Sequence, residues 1–174
     1  MKKSTIIFLF LMLSLGMQAQ KNKNTNMNKK LQEIEDRIAL KNLVDTFSVL
    51  ADIKDVEKQL LLFTEDAVVE SVSDGQAGAA LKGRKQIGDA FSGFLNNFST
   101  VYHLNGQQTL RFNSETSASG VSYCLVFLVA DAQGKKMKTT LAVHYNDEYV
   151  KQNGRWYIAK RKSHFDIRET NEIK

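Results

Sequence analysis

Residues 137–167, MKTTLAVHYNDEYVKQNGRWYIAKRKSHFDI, contain two stretches with a period of two, joined by Asn153-Gly154. Both central positions of a type I′ turn need positive φ, which Asn and Gly tolerate, so this pair is a strong hairpin signal. The pattern therefore predicts an antiparallel pair of long strands, Met137 to Val150 and Trp156 to Ile167.

Two further strand-like stretches precede this hairpin, from Val101 to Phe112 and from Ala118 to Ala130. Short polar segments separate all four stretches. Four long strands joined by tight turns predict an antiparallel meander.

The chain before residue 97 has a helical period instead. Apolar residues from Leu31 onward predict an amphipathic helix that ends near Asp52, and Asp55 can cap a short second helix. After a strand from Ala67 to Val72, a third helix opens at Gly83. Helices followed by a sheet indicate the α+β class. We expect a conical barrel, in which about three N-terminal helices cover a strongly twisted antiparallel sheet and enclose an apolar cavity.

The N-terminus has the pattern of an export signal. Two lysines precede the apolar run Ile6 to Leu15, and Ala19 ends a small-residue cleavage site, so residues 1–19 are interpreted as a signal peptide. Residues 20–30 are nearly all polar and predict a flexible leader before a domain over 31–170. We therefore expect an exported protein, periplasmic or secreted, with no membrane segment after cleavage.

Composition argues against several classes of function. The 24 basic and 19 acidic residues leave an excess too small to indicate a nucleic-acid partner. The single cysteine, Cys124, cannot form an intramolecular disulfide, and three scattered histidines show no metal-ligand spacing. No phosphate-binding glycine loop is present in the sequence. We expect neither a metal nor another cofactor.

Short motifs follow one another in an order that resembles a known family. They are the end of the first helix at Asp52-Ile53-Lys54-Asp55, the run Leu62 to Ala67, the helix start Gly83-Arg84, a strand bearing a histidine, and Tyr149-Val150 followed by Gly154 to Ile158 with Arg161. Over roughly residues 31–168 this order is similar to the SnoaL-like family of the nuclear transport factor 2-like superfamily. The resemblance implies a conical α+β barrel, often dimeric, in a family that includes polyketide cyclases, dehydratases and ketosteroid isomerases.

The resemblance also implies catalytic residues. In the acid/base members an Asp that ends the first helix and a His on the first long strand point into the cone, and these positions are Asp52 and His103 here. Such a pair can move protons between carbon and oxygen. The competing interpretations are a solvated Asp52 that caps the second helix and a half-buried His103 without a catalytic role. Neither His144 nor His164 can be assigned as the second pocket histidine of the scytalone dehydratase type.

Aromatic and amide side chains are the predicted binding residues. Tyr123 or Tyr145 could supply a phenol, and Gln107 or Asn105 an amide. The predicted apolar wall consists of Phe47, Phe63, Phe91, Phe94 and Trp156. We expect Cys124 to be a buried small side chain and the cluster 160–162 to be a solvated face.

Two functions fit these patterns. The first is an exported protein that binds a small, mostly apolar molecule and acts, if it is an enzyme, as a cofactor-independent lyase or isomerase. The alternative is a non-catalytic module of the same fold that binds a ligand, dimerises or contacts a partner protein. In either case the resemblance favours a homodimer formed through the sheet.

Overall fold

The computed structural model describes the backbone of residues 2–174, and the side chains of residue 20 and residues 23–174. The chain divides into two units, one ending at Ala39 and one spanning Leu40–Lys174. Among the described residues, no helix combines the length and apolarity needed to cross a membrane.

The first unit belongs to helix α1, Lys2–Asp52, which also continues into the second unit. Residues 20–30, for which the sequence predicts a flexible leader, are part of this helix. The chain has no proline and no glycine between residues 17 and 39, and Lys, Gln and Met favour a helix, so nothing in this segment stops α1. The predicted signal peptide covers residues 1–19, whose side chains lie outside the described part of the chain, and export stays a prediction.

Two further helices follow α1 in the second unit. Asp55 caps α2, Val56–Leu60, by accepting a hydrogen bond from the Lys58 backbone N–H at 3.1 Å. Helix α3, Gly83–Leu95, starts where the sequence predicts. Gly83 has a φ of +75°, and a Cβ there would lie 3.3 Å from the Glu65 carbonyl oxygen, so this helix start favours glycine.

Seven strands form one open sheet, and the predicted α+β class is confirmed. The four predicted long strands pair as an antiparallel meander. Asn153 and Gly154 have φ values of 51° and 80°, as their hairpin signal predicts. The strands are β1 Phe63–Ser73, β2 Gln76–Ala77, β3 Leu81–Lys82, β4 Thr100–Phe112, β5 Ser117–Ala132, β6 Lys135–Gln152 and β7 Arg155–Ile173.

The order β2-β1-β7-β6-β5-β4 differs from a simple meander at β1, which pairs parallel to β7. The sheet does not close into a barrel, because β2 and β4 end this order. Strand β7 therefore has hydrogen-bonded neighbours on both sides. Buried side chains of α1 and α3, such as Phe47 and Ile87, share a core with Val69, Trp156 and Ile158 of the sheet.

Candidate active site

A cavity of about 500 Å³ lies within the second unit. Its wall is mainly apolar and comes from α1, α3 and the sheet, with Phe47, Phe91, Phe94, Val126, Leu141 and Tyr145 among its members. The polar groups of the wall include Gln59, His103, Arg161 and Ser163. A largely apolar pocket with a few converging polar groups is the usual form of a small-molecule site.

The structure brings the two predicted catalytic residues into contact. His103 Nδ1 lies 2.6 Å from Asp52 Oδ1, with 9% of the His103 side chain and 22% of the Asp52 side chain exposed. His103 lines the cavity, whereas Asp52 is not part of its wall. Because the carboxylate accepts from Nδ1–H, the neutral ring has an unprotonated Nε2 that can accept a proton. Asp52 therefore orients His103 from outside the cavity wall.

The end of α1 explains why Asp52 is available for this contact. Lys54 has a φ of 57°, and the N–H of Asp55 reaches the carbonyl of Leu50 at 2.9 Å, a pattern that ends a helix. Asp55, rather than Asp52, then caps α2. The competing interpretation of Asp52 as the cap is thus excluded, and its carboxylate faces His103 instead.

Arg161 lies in the cavity wall and is buried, which corrects the solvated face expected for the cluster 160–162. Its Nε and Nη2 donate to the Asp147 carboxylate at 2.8 and 2.7 Å, and the two side chains are 1% and 0% exposed. Its guanidinium carbon lies 4.3 Å from the ring centre of Phe47 and 4.2 Å from that of Tyr145. Nη1 is buried without a hydrogen-bond partner in the described residues. A fixed cation with one unused donor thus borders the cavity.

The charge of Arg161 is secured by its surroundings. Burial works against a charged guanidinium, but Asp147 outweighs that effect and raises the pKa of Arg161. Tyr149 donates its hydroxyl to the same carboxylate at 2.8 Å. Burial, together with Asp147, raises the pKa of Tyr149, so this hydroxyl stays a donor. The alternation of side chains along the strand could have identified Arg161, since Arg161 shares a strand face with Ser163 and Phe165, which also line the cavity.

The predicted binding residues divide into two groups. Phe47 and Phe91 line the cavity, as do Phe94 and Tyr145. Phe63 is a correction: it is fully buried behind the wall, with its ring 5.9 Å from Phe47 and 6.1 Å from Phe91.

Three further predicted binding residues lie elsewhere and need correction. Trp156 is core, with its ring 6.1 Å from that of Phe112. Tyr123 is half-exposed on the opposite face of the sheet, because strand alternation turns Cys124 inward and Tyr123 outward. Gln107 is exposed, because a register irregularity between Asn105 and Gln108 interrupts the alternation that would continue from His103.

The alternative amide, Asn105, is occupied by α1. It donates to the Asp45 carboxylate at 2.9 Å and accepts from the Ser48 hydroxyl at 3.0 Å. None of these three residues lines the cavity. Asn105 therefore fixes β4 against α1, next to His103.

The other two histidines lie outside the cavity wall. The rings of His144 and His164 stack with centres 4.4 Å apart and planes 5° apart, and His144 Nδ1 is 2.5 Å from Asp166 Oδ2. Burial, with His144 next in importance, lowers the pKa of His164. Within the described residues, no group of three or more His, Cys, Asp or Glu side chains is placed to hold a metal ion.

Comparison with known proteins defines the family. The profile of the SnoaL-like domain matches residues 32–162, about three quarters of the chain. The chain belongs to this family, which confirms the resemblance found in the motifs. None of the curated protein sequences matches the chain.

Solved structures of similar proteins share the fold. A candidate scytalone dehydratase from Novosphingobium aromaticivorans DSM 12444 is 22% identical, with a TM-score of 0.69 over 82% of this chain and 91% of that one. A hexachlorocyclohexane dehydrochlorinase of type 3 from Novosphingobium barchaimii LL02 is 17% identical, with a TM-score of 0.69 over 82% and 94%. A nuclear transport factor 2-like protein with a cystatin-like fold from N. aromaticivorans is 22% identical, with a TM-score of 0.63 over 82% and 89%. At these identities the likeness establishes the nuclear transport factor 2-like fold and no activity.

Proposed function

We propose that this protein binds a small, mostly apolar molecule in the cavity and catalyses a proton-transfer reaction of the lyase type without a cofactor. The observation that carries the proposal is the 2.6 Å contact between His103 and Asp52, with His103 in the wall of an apolar cavity. The names of the similar solved structures, a dehydratase and a dehydrochlorinase, describe eliminations and support this reaction class.

His103 acts as the base in the proposed reaction. Its Nε2 takes a proton from a carbon of the ligand, and the electrons of that C–H bond form a new double bond to the neighbouring carbon. Asp52 holds the ring in one orientation and stabilises the imidazolium that forms. The apolar wall excludes water and strengthens this charge interaction.

Arg161 stabilises the departing group. As the double bond forms, the leaving group departs from the neighbouring carbon with the electrons of its bond. Nη1 of Arg161, a charged donor without a partner among the described residues, belongs to a side chain of the same wall and can donate a hydrogen bond to the negatively charged leaving group. Asp147 and the two aromatic rings already hold the guanidinium in place, so the donor needs no reorganisation when charge develops.

Turnover of a panel of β-hydroxy and β-halo compounds, followed by mass spectrometry, tests this proposal. We expect His103→Ala to lower kcat at least about a hundredfold and Asp52→Asn to lower it at least about tenfold, since general bases contribute about 10²–10⁴. Asp89→Asn and His164→Ala are controls outside the cavity wall and should keep wild-type turnover. Unchanged kcat in His103→Ala would remove the acid/base assignment.

The alternative of a non-catalytic interaction module rests on the outer face of the sheet. Tyr102, Leu104, Tyr123 and Leu125 lie on the face opposite the cavity, and each is more than 40% exposed. A second copy of the chain would cover these apolar side chains, and this supports the homodimer that the resemblance implies. Sedimentation of the wild type and of Leu104→Glu tests the dimer. A monomeric wild type would contradict it.

Export is proposed separately from the site. The charged and apolar pattern of residues 1–19 supports it. N-terminal sequencing of the protein recovered from periplasmic and medium fractions tests it, and a chain retained in the cytoplasm with an intact N-terminus would contradict it.

A further inference from the structure

Gln59 places an unused hydrogen-bond acceptor in the cavity wall. This residue of α2 is 1% exposed and lines the cavity, and its Oε1 is buried without a partner in the described residues. We propose that Gln59 is a specificity-determining residue, whose Oε1 accepts a hydrogen bond from an O–H or N–H group of the bound ligand. This inference rests on the proposed function insofar as the cavity must bind a small molecule.

The orientation of the amide is fixed by the backbone of α1. Gln59 Nε2 donates to the carbonyl oxygen of Phe47 at 3.1 Å. Exchanging the amide O and N would set two acceptor oxygens against each other, so the contact with Phe47 identifies which end is which. Oε1 is therefore directed away from the Phe47 carbonyl oxygen.

The burial of Gln59 Oε1 indicates that this oxygen has a hydrogen-bond donor when the cavity is occupied. Buried polar groups in proteins are nearly always hydrogen-bonded, and Oε1 can accept only from a donor. No donor of the described residues lies within hydrogen-bond distance of Oε1, and a ligand in the cavity can supply one. Among the described residues, Thr64 and Ser122 also have buried hydroxyls without a hydrogen-bond partner, but neither residue lines the cavity.

Arg161 complements Gln59 in the same wall. Within the part of the chain that the structure describes, Nη1 of Arg161 is a donor without an acceptor, whereas Oε1 of Gln59 is an acceptor without a donor. A ligand with only acceptor atoms satisfies Arg161 and leaves Gln59 unpaired. A ligand that also carries an O–H or N–H satisfies both, and this discriminates against ethers and halides of the same shape.

Calorimetric titration with two neutral probes of similar shape tests the inference. 2-Naphthol has an oxygen acceptor and an O–H donor, whereas 2-methoxynaphthalene has the oxygen acceptor alone. We expect the wild-type chain to bind 2-naphthol at least about tenfold more tightly. In Gln59→Met the ratio of the two dissociation constants should fall to within about twofold of unity, and Gln59→Leu provides a second variant if Gln59→Met does not fold.

Two control variants and one alternative outcome separate Gln59 from other causes. Gln107→Leu removes an exposed amide on β4 and should keep the wild-type ratio. A purely structural role of the contact with Phe47 would weaken both probes alike and leave the ratio unchanged. His103→Ala tests a rival acceptor, because His103 Nε2 is another group of the wall that could accept from a hydroxyl. The ratio keeps its wild-type value in this variant if Gln59 is the acceptor.

The outcomes distinguish this inference from the acid/base proposal. A ratio lost in Gln59→Met and kept in His103→Ala supports the role of Gln59. A ratio near unity in the wild type, or one lost only in His103→Ala, overturns the role of Gln59 and leaves the proposed base intact. Failure of both probes to bind the wild type overturns the inference together with ligand binding in the cavity. An unchanged kcat in His103→Ala would remove the proposed base but would leave the binding ratio and the role of Gln59 intact.

Discussion

Replacing Asp147 with alanine tests the buried ion pair that holds the cavity cation. The Asp147 carboxylate accepts from Arg161 Nε at 2.8 Å, from Arg161 Nη2 at 2.7 Å and from the Tyr149 hydroxyl at 2.8 Å. Asp147→Ala removes all three acceptor contacts at once. The guanidinium cannot turn toward water, because the rings of Phe47 and Tyr145 lie on it.

The expected loss of stability follows from these contacts. Each hydrogen bond to a charged group contributes about 1.5–3 kcal/mol, which bounds the total for three at about 4.5–9 kcal/mol. Breaking a buried pair by removing one partner costs about 3–5 kcal/mol in measured cases, because relaxation and water recover part of the loss. We therefore expect Asp147→Ala to lower the free energy of unfolding by about 4 kcal/mol.

A double variant separates the interaction energy of the ion pair from the effects of the two single substitutions. Asp147→Ala combined with Arg161→Met removes the uncompensated charge, and its cost should be less than the sum of the two single variants by at least about 2 kcal/mol. Urea unfolding of the full chain, followed by circular dichroism, measures all four free energies. Asp89→Ala breaks an exposed pair with Lys85 and should give no measurable change. A loss below about 1 kcal/mol in Asp147→Ala, or strict additivity in the double variant, would refute this reasoning.

Two further predictions concern packing in β5 and a control in α3. Burial raises the pKa of the Cys124 thiol from 9.0 to about 11, so at pH 8 its thiolate fraction falls from about one in ten to about one in a thousand. Native protein should therefore react with Ellman's reagent at least about a hundredfold more slowly than urea-unfolded protein. Equal rates would contradict the burial of Cys124. A Cβ on Gly120 would lie 2.7 Å from the Thr109 carbonyl oxygen, so Gly120→Ala should lower the free energy of unfolding by about 1–3 kcal/mol. Gly93→Ala is the control: there is open space around its Cβ, so this substitution should not lower the free energy of unfolding. Equal effects of the two substitutions would contradict the close approach at Gly120.

Periodicity predicted most of the fold because each long strand has one buried face. The alternation of β6, for example, buries Leu141, Val143 and Tyr145 in sequence. The Asn153-Gly154 turn fixes the register of β6 and β7. The parallel pairing of β1 with β7 was not predicted, because contacts between residues about ninety positions apart leave no local pattern in the sequence.

Only part of the candidate site was predicted from the sequence. A histidine on a strand and a carboxylate at a helix end were identified through the resemblance, and the structure brings them together. Arg161 was expected on a solvated face because Lys160 and Lys162 made it part of an apparent surface cluster. Gln107 was misassigned because the irregularity in β4 reverses the alternation, and a single sequence gives no signal for such a bulge.

The place of β7 between β1 and β6 gives the site a fixed part and an adjustable part. Arg161 is anchored by backbone pairing on both sides, so its position should tolerate little variation. Ala79 and Leu81 also border the cavity but belong to the short segments around β2 and β3, at the edge of the sheet. Protein engineers seeking new ligand shapes should therefore randomise this edge and leave Arg161 unchanged. The size of the ligand can then change while the charged group of the wall keeps its position.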